Sequence, residues 1–225
     1  KNGDEFGVYS VNASWRESTL NRGILPTRGH SNNLALELAV PGSELEYYRL
    51  TFNSQYYLPV SKRLTLRFRG ELGYGDGYGD TDELPFFENF RAGGFGSVRG
   101  YESNTLGPRS TPAAAFSTAL AEVTPGGFLP VYVVDRYGQL ERGNPADPTP
   151  DPFGGNLLVE GSVELLFPLP FIEDQRSVRT VLFYDFGNVF SDDCRSSQLG
   201  CSDFDLSQLK SSAGLALTWL SGFGP

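Results

Sequence analysis

The feature that most constrains this chain is an alternation of apolar and polar residues that keeps returning along its length. It is sharpest from Arg63 to Tyr74. There Leu64, Leu66, Phe68, Leu72 and Tyr74 oppose Arg63, Thr65, Arg67, Arg69 and Glu71. A period of two is the mark of a strand with one apolar and one polar face. The same pattern runs through Gly7–Trp15, Asn33–Val40 and Tyr48–Leu58. After a long interruption it returns in Asn156–Phe167, Arg179–Phe186 and Gln208–Trp219. The spacing predicts about seven strands, near 5–17, 31–41, 46–58, 62–75, 155–168, 177–190 and 207–220. At roughly 9–13 residues each, they have the length that crosses a bilayer when tilted.

A soluble sandwich would alternate as well. Here arginines occupy the middle of the polar face, where a soluble domain would pack its core. Tyrosine, tryptophan and phenylalanine also gather near strand ends, as in the aromatic girdles of membrane barrels. The expected class is therefore all-β, an antiparallel transmembrane β-barrel wall. A mean hydropathy of −0.27 agrees, because half of each strand would face a polar lumen. No apolar run reaches the ~18 residues of a membrane helix. A net charge of −9 argues against nucleic acid as a partner. Lys1 follows neither an initiator methionine nor a signal segment, so the chain is expected to be processed or cut from a longer one. About seven strands cannot close on themselves with matched faces, and open edges in lipid are costly. An open, curved sheet, or one completed by further strands, is expected.

The connection over 76–154 is far longer than ordinary loops and should be functional or partly disordered. Its first part, to about Arg109, is rich in glycine and aromatics. Thr111–Val134 is apolar enough to pack, with a short helix expected at Ala113–Leu120, and Pro145–Pro152 reads as an extended surface stretch. Gly73–Asp80 looks like a glycine-aspartate calcium repeat, but it occurs once, without the tandem copies such a site needs. It reads instead as a strand exit. Cys194 and Cys201 lie close together with no histidine nearby, so a local disulfide on a cell-surface loop is favoured over metal, with a reduced pair as the alternative. His30 stands beside a turn and reads as structural. No nucleophile, base and acid fall into a catalytic spacing, so the reading is a non-enzyme without metal or cofactor.

Within the long connection, Gly93-Gly94-Phe95-Gly96-Ser97-Val98-Arg99-Gly100-Tyr101 has no period of either kind and reads as a specially shaped loop. Two acids stand out elsewhere. Glu164 and Asp185 lie on the polar parity of otherwise strongly apolar strands. A carboxylate deep inside a barrel needs a cation or water. Arg99 could supply the cation if its loop folds back into the lumen. Arg63, Arg67, Arg69 or Arg179 on neighbouring strands could equally do so.

Taken together, these motifs resemble one known family. Phe87-Glu88-Asn89-Phe90, Ala92-Gly93-Gly94, Val98-Arg99-Gly100-Tyr101 and Ser103 to Pro108 look like the sixth extracellular loop of the BamA-like outer-membrane assembly factors. The likeness continues in Pro41-Gly42-Ser43, Gly73-Tyr74-Gly75-Asp76-Gly77, Ser162-Val163-Glu164-Leu165, Val178-Arg179-Thr180 and Asp185-Phe186-Gly187. Further matches lie in Ser212-Ala213-Gly214 and Trp219-Leu220-Ser221, in the family's order. Val-Arg-Gly-Tyr alone would reach only the wider superfamily, which includes TamA-like factors and two-partner secretion transporters.

The resemblance implies a sixteen-stranded barrel, of which this chain would be strands eight to fourteen, without the periplasmic POTRA domains or the terminal strands. It implies that Val98, Arg99, Gly100 and Tyr101 anchor the loop in the lumen, with Arg99 paired to Glu164 and Asp185. It also implies residence in the bacterial outer membrane and non-enzymatic folding and insertion of client β-barrel proteins. The implied partners are outer-membrane lipid, the lipoproteins of the BAM complex and those clients. A secretion pore of the same superfamily, or a plain channel or surface antigen, are the alternatives. The family's motifs assign no role to the Cys194–Cys201 pair.

Overall fold

The computed structural model describes residues 7–109, 132–134, 140–142, 152–168, 178–194 and 200–219. Its main body is a sheet of seven antiparallel strands. They are β1 (Ser10–Ser18), β2 (Gly29–Ala39), β3 (Tyr47–Pro59), β4 (Thr65–Gly77), β7 (Leu157–Phe167), β8 (Val178–Phe190) and β9 (Lys210–Trp219). They stand side by side in that order, and β1 and β9 are edges with one sheet neighbour each. The sheet is open. A separate pair, β5 (Tyr132–Val134) and β6 (Leu140–Arg142), lies within the stretch read as the loop 76–154.

The structure shifts the strand limits read from the alternation. β1 begins at Ser10 rather than near residue 5, because β2 ends at Ala39, the partner of Ser10. β4 continues to Gly77, through glycines read as a strand exit, because Tyr47, Tyr48 and Arg49 pair with Gly77, Asp76 and Gly75. The helix expected at Ala113–Leu120 and most of Pro145–Pro152 lie outside the described residues.

The faces are distributed inside out relative to a soluble protein. Leu34, Leu36, Leu38, Leu50, Leu58, Phe68, Leu72, Leu182, Leu215, Leu217 and Trp219 are exposed on the outer face. Glu160, Ser162, Glu164 and Asp185 are buried on the other. Water would penalise the first set and strand the second. Lipid outside and a packed polar lumen inside satisfy both. The short β3–β4 turn and the β1–β2 turn share one end of the sheet, and the long connections share the other. In barrels of the outer membrane the short-turn end faces the periplasm. At the opposite end Cys194 and Cys201 are joined in a disulfide within the β8–β9 connection.

Candidate functional site

The loop from Phe90 to Pro108 is fastened before it reaches the lumen. Phe90 bridges to Gly155 and Ala92 to Leu106. Gly93 N donates to Ser97 Oγ at 2.8 Å and Gly94 N to Val98 O at 3.2 Å, closing a tight coil. Val98, fully buried, enters an apolar cluster of Phe90, Ala92, Leu106, Leu158 and Val189, against which Tyr101 packs. This cluster holds the coil against β7 and β8 and presents the next residue, Arg99, to the lumen wall. Gly100 then turns the chain with φ +89°, a backbone conformation that favours glycine, beside Ser212. The Tyr101 hydroxyl donates to Ser211 O at 3.3 Å.

The structure brings Arg99, Asp185 and Glu164 together. Arg99 donates from Nε to Asp185 Oδ2 at 2.6 Å and from Nη2 to Asp185 Oδ1 at 2.7 Å, a side-on bidentate pair. Its backbone N–H also donates to Asp185 Oδ2, at 3.1 Å. Nη2 reaches Glu164 Oε1 at 2.6 Å and Ser162 Oγ at 3.2 Å. The Ser162 hydroxyl donates to Asp185 Oδ1 at 2.6 Å. Asp185 is wholly buried, and the Glu164 and Arg99 side chains are 5% and 12% exposed. A guanidinium is not deprotonated in proteins, so the cation is permanent.

Both readings that the sequence left open for Glu164 are realised at once. Its second oxygen, Oε2, accepts from Arg67 Nη1 at 3.0 Å, so Glu164 bridges a loop arginine and a wall arginine. Arg69 turns instead to the loop backbone, donating to Gly96 O at 2.6 Å and Ser97 O at 2.8 Å. Ser97 Oγ donates to Glu160 Oε1. Arg179 lies elsewhere, bound to Leu25 O.

Sequence reasoning offered Arg69 only as a partner for the acids, and gave no role at the site to Ser97, Glu160, Ser162 or, above all, Phe183. The Arg99 Cζ sits 3.7 Å from the Phe183 ring centroid, a cation–π contact that also keeps water from the pair. Phe183 and Ser162 share the inward parity of Asp185 and Glu164, and that was the available signal. Gly187, on the same face, lets the loop approach: an added Cβ would lie 3.0 Å from Val98 Cγ2 and 2.9 Å from Val159 O. Gly187→Val is expected to lift Val98 off β8. Limited proteolysis of the folded protein should then cut the 90–108 loop several-fold faster, and an unchanged cleavage rate would contradict this seating.

With this geometry in place, comparison with known proteins is informative. The Omp85 superfamily domain matches residues 2–225. The outer membrane protein assembly factor BamA of Neisseria meningitidis serogroup B is 38% identical over 97% of this chain, which spans 25% of that protein. The crystal structure of BamA from Haemophilus ducreyi lacking POTRA domains 1–3 superposes with a TM-score of 0.72 at 29% identity. That match covers 96% of this chain and 37% of the other. The chain thus spans about a quarter of the length of its curated relative. The outward apolar wall, the open antiparallel sheet and the loop seated on its inner face all accord with these likenesses: this chain is an outer-membrane β-barrel segment and belongs to the Omp85 superfamily.

Proposed function

We propose that this chain is the wall and lumen-loop segment of a non-enzymatic factor that folds and inserts client β-barrels into the outer membrane. The observation that carries the reading is the buried clasp of Arg99 by Asp185 and Glu164, in a chain 38% identical to a BamA. The clasp fixes the loop to β7 and β8 and stiffens the wall there. A stiff wall would hold a barrel's seam in register while a client strand pairs with an exposed sheet edge, adding strands by backbone hydrogen bonding. The factor's lipoprotein companions and the surrounding outer-membrane lipid complete the proposed set of partners.

Complementation tests this reading. The full-length protein carrying Arg99→Ala should fail to restore client-barrel assembly when the native copy is depleted, at matched membrane level. Restoration to the native extent would make the clasp dispensable and favour a plain channel or surface antigen.

A further inference from the structure

The β1–β2 turn, residues 19–28, is unusually well built for a hairpin connection. The Asn21 side chain accepts from the backbone N–H of Thr27 at 3.1 Å and of Arg28 at 3.2 Å, and donates to Thr27 Oγ1 at 3.0 Å. Thr19 Oγ1 accepts from His30 N at 3.0 Å. At the tip Leu25 takes φ +48°, a left-handed conformation that a bulky side chain adopts only when its surroundings impose it. The following Pro26 is buried.

What the conformation achieves is a contact. Leu25 O accepts from Arg179 Nη2 at 2.5 Å. Arg179 belongs to β8, and β3, β4 and β7 stand between β2 and β8 in the sheet. The contact therefore cuts across the curved wall, over the lumen's mouth at the short-turn end. Leu20, from the same turn, packs on the buried lumen-facing cluster of Tyr57, Leu166 and Val181. Phe183, which carries the Arg99 guanidinium, packs on that cluster too. Val181 and Phe183 are apolar residues on the inward parity that also carries Arg179 and Asp185. The turn gives that cluster a cover through Leu20.

We propose that residues 19–28 form a strap that closes the lumen at the short-turn end, with Arg179 as its positioning residue. The loop and the strap enter from opposite ends, are tied to the same strand β8 by Asp185 and Arg179, and meet at Phe183, which carries the Arg99 guanidinium and packs on the strap's apolar cluster. Their fastenings differ in kind. Arg99 is held by two carboxylates and a hydroxyl, whereas the strap is held to Arg179 through a single backbone carbonyl. Releasing the strap separates no ion pair, so the lumen opens to small hydrated solutes from the short-turn end before the loop lets go.

The test uses the full-length protein in lipid vesicles, with Val181→Cys as a probe beneath the strap. Cys194 and Cys201 are joined in a disulfide and do not compete for a thiol reagent, and any cysteine outside this chain is first replaced by serine. A small polar maleimide should label Val181→Cys at least tenfold faster when Arg179→Ala is added, and Arg179→Lys should return the rate towards that of the probe alone. Heat-modifiable gel mobility reports that the barrel is folded. Should Arg179→Ala not fold, Asn21→Ala loosens the strap from its own side and is expected to give the same acceleration. Equal labelling rates in the folded proteins, fast or slow, would overturn the proposal. The readout is solvent access, so it stands or falls independently of client assembly.

Discussion

Asp185→Ala is expected to free the loop from the barrel interior. Asp185 accepts the Arg99 Nε and backbone N–H and the Ser162 hydroxyl, and shares Nη2 with Glu164 and Ser162. It is wholly buried, so no water stands ready to replace it. Removing one partner of a buried, hydrogen-bonded ion pair costs about 3–5 kcal/mol, chiefly because the other charge is left behind. Arg99→Ala should cost as much from the opposite side, stranding Asp185. Glu164→Ala should cost clearly less, because Arg99 keeps its bidentate partner and Arg67, a quarter exposed, can turn to water. Arg99→Lys should rescue poorly: an ammonium is a point charge and cannot hold Asp185 side-on while reaching Glu164. The measurement is the rate at which protease cuts the loop in the folded, bilayer-embedded protein. Equal rates for the parent, Asp185→Ala and Glu164→Ala would show that the clasp does not hold the loop. A buried pair need not be the most stable solution at that site. Its specific contribution is to fix one position of a long loop.

Leu50→Arg, on the outer face of β3, is expected to lower barrel stability in a bilayer by up to about 2–4 kcal/mol, the cost of a lipid-facing arginine at the hydrocarbon midplane, which falls towards the interfaces. Thr51→Arg, its neighbour on the same strand, should cost far less. Thr51 faces the lumen and lines a cleft of about 160 Å³ with Ala35, Glu37 and Arg49, where a guanidinium meets water and the Glu37 carboxylate. Urea titration of the refolded protein in vesicles, followed by gel mobility, distinguishes the two. A soluble sheet would show no such asymmetry, since exchanging an exposed leucine for arginine in water is nearly neutral. Equal losses at both positions would therefore argue against lipid on the outer face.

Much of this architecture was legible from spacing. Side chains on a strand alternate strictly, so parity alone says which residues share a face. That is why Glu164 and Asp185 could be placed on one surface with Arg67 and Arg69 before any coordinates, and why the apolar face of β4 was plain. Strand ends were less legible, because they depend on the partner. Asp76 and Gly77 have little strand propensity of their own, yet they extend β4 past the predicted end at 75 because β3 is long enough to pair with them.

What the chain's order could determine, then, was the wall: strands, faces, and acids turned inward. What only the tertiary structure decided was which inward groups meet across the lumen. Period two fixes direction but carries no information about distance across a curved sheet. Glu164 serving Arg99 and Arg67 together, Arg69 reaching the Gly96 and Ser97 carbonyls, and Arg179 reaching Leu25 O are all of this kind. The last of these joins groups 154 residues apart in sequence. Such contacts come into being only when the sheet curves and both the loop and the strap fold into its hollow.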